Sequence, residues 1–98
     1  LMILPGLALS FDNDDKVLID GPEVDLTLGE LRQALLTVPE DVRKTMLVQP
    51  KKIRDIMDST YMVKVAAERA KQKGLDKDPV VAAKIWNYTQ NLLAGAEI

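Results

Sequence analysis

The stretch KQKGLDKDPVVAAKI, Lys71 to Ile85, decides the fold. A basic run stops at Gly74, and an Asp78-Pro79 pair opens a new apolar pattern. Gly at the end of a helical pattern takes the left-handed C-cap conformation without a Cβ penalty. Lys71 and Lys73 suit the negative end of the helix that precedes it. The Asp78 carboxylate can cap a second helix, and Pro79 is pre-set for its first position. Gly74, Asp78 and Pro79 therefore predict a structural joint at which two helices fold back as a hairpin.

Upstream of the joint, Pro50 starts the longest predicted helix. Ile53, Ile56, Met57, Thr60, Val63, Ala67 and Ala70 recur at spacings of three and four. Tyr61, Met62 and Val65 lie off that stripe, so this helix needs covering on more than one side. Lys64 and Glu68 are spaced for an i,i+4 pair. Downstream, Val81, Ile85, Tyr88 and Leu92 are spaced four, three, four, and Ala82, Trp86, Thr89 and Leu93 repeat the pattern one residue on. The two rows predict a helix with a broad apolar face, with Lys84, Asn87 and Asn91 opposite.

The N-terminal half carries weaker signals that agree in order. Val17 and Ile19 alternate with Leu18, Asp20-Gly21 marks a tight turn, and Val24 and Leu26 alternate on the return, which predicts a small β-hairpin. Thr27-Leu28-Gly29-Glu30 is a capping box for a helix carrying Leu28, Leu31 and Leu35. Pro39 opens a second short helix with Glu40 and Asp41 in its first turn. The predicted fold is mostly α: a small β-hairpin, two short helices and a long helical hairpin.

The chain has 98 residues, 47% hydrophobic and 29% charged, with a net charge of −2, which suits one globular domain and gives no general pull toward nucleic acid or anionic lipid. Lys51, Lys52 and Arg54 cluster, as do Arg69, Lys71, Lys73 and Lys77, but Asp55, Asp58, Glu68, Asp76 and Asp78 interrupt them. A phosphate-binding face would be positive without such breaks, so no nucleic-acid partner is expected. With no His and no Cys, the commonest general base and the commonest soft metal ligands are absent. Phe11-Asp12-Asn13-Asp14-Asp15 starts like a calcium loop, but Lys16 and Val17 stand where oxygen ligands and Gly belong. No catalytic residue, metal or cofactor is expected, and no apolar run is long enough to span a membrane. LMILPGLALS, residues 1–10, is apolar and ends Ala8-Leu9-Ser10. It is expected to be the remnant of a secretory signal cut after Ser10, or otherwise an apolar arm of the mature chain.

Val17-Leu18-Ile19-Asp20-Gly21, then Leu26-Thr27-Leu28-Gly29-Glu30-Leu31, then Ala70 through the Gly74-Leu75-Asp76-Lys77-Asp78-Pro79-Val80-Val81 joint resemble, in wording and order, the N-terminal chaperone region of SurA-like, parvulin-type peptidyl-prolyl isomerases. The resemblance covers Lys16 to Leu93, and the joint is its most specific part. It implies a substrate-holding helical domain over residues 11–98, part of a longer protein of the periplasm or cell envelope. Its clients would be unfolded polypeptides. The family's catalytic parvulin domain would follow this region and normally contains His, so the resemblance implies no isomerase activity in this chain.

Tyr61, Met62, Val65, Trp86 and Leu93 are the candidate client-binding residues, because so few elements cannot bury them all and such side chains adapt to varied apolar partners. The same side chains suit core packing, or the seam of a homodimer or domain swap. A purely structural module that oligomerises through this face, without clients, is the alternative.

Overall fold

The computed structural model describes residues 13–97. The expectation for residues 1–10, and Phe11, lie outside the described residues. The chain is mostly helical. Strands β1 (Val17–Asp20) and β2 (Asp25–Thr27) are followed by α1 (Leu28–Leu36), α2 (Glu40–Leu47), α3 (Pro50–Gln72), a short 3₁₀ turn (Leu75–Lys77) and α4 (Pro79–Glu97). The contacts divide it into two units, one ending at Val65 and the other beginning at Ala66.

In the first unit β1 and β2 pair antiparallel, Val17 with Thr27, Ile19 with Leu26 and Asp20 with Asp25. The register breaks between Val17 and Ile19. Leu18 is the extra residue of this bulge, and Leu18 and Ile19 are both half-buried where strict alternation would expose one. The turn differs from expectation too. Four residues, 21–24, connect the strands, and among the described residues only Gly74 has a positive φ. Gly21 is therefore not in the left-handed conformation of a two-residue hairpin turn.

The capping box forms as its spacing predicts. The Glu30 N–H donates to Thr27 Oγ1 at 3.3 Å, and the Thr27 N–H donates to Glu30 Oε1 at 2.9 Å. It starts α1 so that Leu31 and Leu35, one turn apart, face inward under β2. With Leu26, which is wholly buried, they are the buried apolar residues among those described. Asp14 ties the chain entering β1 to α1. Its carbonyl accepts from the Gly29 N–H at 3.0 Å and its carboxylate pairs with Arg32. Arg43 of α2 reaches back to the end of α1, donating to the carbonyls of Leu35 at 3.0 Å and Val38 at 2.9 Å. It thus adds a side-chain donor to the Leu35 carbonyl, which already accepts from the Val38 N–H at 3.1 Å, and engages the Val38 carbonyl just past the helix end.

The covered face of α3 follows the expected stripe through Ile53, Ile56, Met57 and Thr60, then departs from it. It continues through Tyr61, Lys64 and Val65, while Val63 is 68% exposed. Val63, seven residues on from the half-buried Ile56, lies on nearly the same side of the helix, so its exposure reflects where the preceding elements cover α3 and not the spacing. Lys64 consequently points at the capping box and pairs with Glu30 rather than with Glu68, Nζ lying 2.6 Å from Glu30 Oε2.

In the second unit the caps of the joint take the expected geometry. Gly74 lies at φ 74°, ψ 17°, and its N–H donates to the Lys71 carbonyl at 2.9 Å. Residues 75–77 add one 3₁₀ turn, and the Lys77 N–H closes on the Gly74 carbonyl at 3.0 Å. Asp78 Oδ1 accepts from the N–H groups of Val80 at 2.9 Å and Val81 at 3.2 Å, and Pro79 is the first residue of α4. α4 packs on the 3₁₀ turn, but none of its described residues is buried.

A Cβ at position 74 would have open space around it, so the cost of a side chain there is conformational. Gly74→Ala should lose about 1–2 kcal/mol, and Gly74→Asn less, because Asn tolerates the left-handed region. Thermal melts of both variants followed by helical circular dichroism check this. Equal melting of Ala, Asn and Gly at position 74 would remove the C-cap assignment.

Candidate functional site

The five candidate residues fall in both units. Tyr61, Met62 and Val65 belong to the first, Trp86 and Leu93 to the second.

In the first unit Tyr61 is tied to the hairpin. Its hydroxyl donates to the Val24 carbonyl at 3.2 Å, and Gly21 leaves the space the ring tip occupies. Val65 is half-buried on the same face of α3, whereas Met62 is 66% exposed beside Val63. One turn after Tyr61, Lys64 donates to the Asp25 carbonyl at 2.5 Å as well as pairing with Glu30. Tyr61 and Lys64 together clamp β2 and the start of α1 onto α3.

Glu30 is the electrostatic centre of that clamp. Partial burial alone would push its carboxyl up, but hydrogen bonds from Lys64 and from the Thr27 N–H, with the Lys64 charge, outweigh it and hold the carboxyl below its ordinary value of 4.5. A carboxylate held low in the folded state stabilises above the unfolded pKa, and that contribution is lost as the pH falls through the folded one. The first unit should therefore weaken as acid protonates Glu30. Glu30→Gln should lower stability at neutral pH and flatten the acid loss in a series of urea melts. An unchanged acid slope in this variant would mean that the clamp carries no such linkage.

In the second unit Trp86 and Leu93 lie on one face of α4 with Ile85, Tyr88 and Leu92, all 55–70% exposed. Polar side chains near this face satisfy themselves locally. Thr89 Oγ1 donates to the Ile85 carbonyl at 2.8 Å, which leaves its methyl to continue the apolar surface, and Asn87 Nδ2 donates to the Ala83 carbonyl at 3.1 Å. Lys84 and Glu97 are the only charged residues of α4, and Lys84, one turn from Val81 and from Tyr88, borders the face. The face is thus apolar and broad, with the Lys84 cation at its edge. Among the described residues there is no pocket and no cluster of acidic side chains able to hold a metal ion. No helix among them is long and apolar enough to cross a membrane.

Three functional contacts of the fold escaped sequence reasoning. The Lys64–Glu30 pair joins residues far apart in the chain, which an i,i+4 rule cannot find. Arg43 has no spacing signature. Gly21 carries a turn signal that concealed its packing role. Comparison of the chain with protein-family models, with curated proteins and with solved structures gives no match.

Proposed function

We propose that this chain is a non-catalytic chaperone module of the cell envelope, of the kind found in parvulin-type foldases, and that it binds extended apolar segments of unfolded proteins. The exposed apolar face of α4 carries the reading. Water-exposed Ile85, Trp86, Tyr88, Leu92 and Leu93 on one helix face form a continuous patch of the kind that marks an interaction surface. The absence of charge on this face favours apolar sequence over a defined electrostatic partner, and Trp and Tyr offer large contact area at low entropy cost. The order of hairpin, capping box and Gly74–Pro79 joint supports the same reading.

The test is binding of a fluorescently labelled, extended apolar peptide measured by anisotropy. Trp86→Lys and Leu93→Lys should each weaken binding by about tenfold or more while helical circular dichroism is kept. Binding that is unchanged in both variants, or absent from the parent chain, overturns the proposal. No acceleration of prolyl isomerisation is expected in the same preparations.

A further inference from the structure

We infer that in the absence of client the apolar face of α4 is covered by α4 of a second copy of this chain, the two helices running antiparallel about a two-fold axis at the level of Asn87. The pairing rests on the face itself. That clients displace it rests on the chaperone reading above.

The spacing points to a helix as occupant. Rows at four, three, four are the spacing of a helix–helix seam, in which side chains of one helix enter gaps on the other. The sizes along the rows then choose the direction. In an antiparallel pair each row meets itself reversed. Ala82 then faces Leu93 of the second copy and Trp86 faces Thr89. In the neighbouring row Val81 faces Leu92 and Ile85 faces Tyr88. Each contact sets a smaller side chain against a larger one, as interdigitated packing requires. In a parallel pair each row meets the neighbouring row of the second copy at the same level, which sets Ile85 on Trp86 and Leu92 on Leu93, large against large, and Val81 on Ala82, small against small. The antiparallel arrangement also opposes the two helix dipoles.

Area and charge agree with this occupant. Large side chains of 150–250 Å² at the exposures of Ile85, Trp86, Tyr88, Leu92 and Leu93 present on the order of 600 Å² of surface. Val81, Ala82 and Thr89 bring this toward the ~800 Å² per partner of a stable association. Lys84 borders the face, but about a two-fold at Asn87 it is level with Gln90 of the second copy, so no like charges stand directly opposite across the seam.

The chain has no Cys, so introduced thiols report contacts without background. Three variants are oxidised at micromolar concentration: Ala82→Cys, Leu93→Cys, and the two combined. The mass of the unmodified chain is followed by light scattering from micromolar to millimolar concentration. The inference expects that mass to double with concentration. It also expects covalent dimer in abundance from the combined variant, and from an equimolar mixture of the two single variants, but not from either single variant alone. A mass that stays monomeric throughout overturns the pairing. Cross-linking of either single variant alone, as efficient as that of the mixture, overturns the antiparallel register. The labelled apolar peptide separates the two readings. If the dimer forms and the disulfide-locked dimer binds peptide less than one tenth as well as its reduced form, both stand. If the dimer forms and locking leaves peptide binding intact, the displacement claim fails. If the chain stays monomeric yet binds peptide through Trp86, the pairing alone fails.

Discussion

Leu26→Ala should bring the first unit close to unfolding, with a loss of about 2–5 kcal/mol. Leu26 is the one large side chain wholly enclosed among the described residues, and only Leu31 and Leu35 are buried beside it. A core this small has few neighbours able to close in on the cavity left by a lost isobutyl group, and the cost of such a truncation grows with the cavity that remains. Small domains have only about 5–15 kcal/mol of total stability, so the loss is a large fraction of what exists. Leu36→Ala is the matched control. Leu36 is also in the first unit, but it is 62% exposed, and its truncation should cost within about 0.5 kcal/mol. Urea melts of the two variants give the comparison. Equal midpoints would mean that the stability of this unit does not reside in the contact of β2 with α1.

What the sequence made legible divides along one physical line. Features determined within a few residues were readable: the Thr27–Glu30 capping box, the Gly74 C-cap, the Asp78 cap with Pro79, and Pro50 at the start of α3. Each depends on local backbone chemistry that the residue types state directly. Features determined across the chain were not. Apolar identity followed at steps of three and four carries the α3 stripe through Val63. The structure takes the face through Tyr61 and Lys64, whose polar ends meet Val24, Asp25 and Glu30. A polar residue on a covered face is invisible to a hydrophobic pattern until its partner is known. In α4 the reverse holds. The pattern stated a broad apolar face correctly, but a pattern cannot say what covers it, and among the described residues of this chain nothing buries it. Candidate residues taken together as one surface, Tyr61 with Trp86, have unlike surroundings: one is held by a hydrogen bond to the hairpin, the other faces solvent.

Gly21 gives the second large effect and shows why a turn signal can be right about the residue and wrong about the reason. A Cβ at position 21 would stand 1.6 Å from Tyr61 Oη and 2.8 Å from Tyr61 Cζ, and 2.7 Å from the Val24 carbonyl oxygen. Two of these atoms belong to a side chain that can swing away, and the third is backbone that cannot move without shifting the loop. Gly21→Ala should therefore expel the Tyr61 ring from its seat, break its hydrogen bond to Val24 and strain the 21–24 connection. Overpacking of this kind costs about 1–3 kcal/mol, and the lost hydrogen bond adds on the order of 1 kcal/mol. The background tells the two sources apart. With Tyr61→Phe the hydroxyl is gone but the ring remains, so Gly21→Ala should cost somewhat less than in the parent chain. With Tyr61→Ala the ring is gone too, and only the strain against Val24 should survive. Contacting residues are expected to be non-additive in this way, so stability should recover in graded steps across the three backgrounds. If Gly21→Ala costs the same in all of them, Tyr61 does not fill the space beside Gly21, and the clamp of α3 on the hairpin must be held by Lys64 and Glu30 alone.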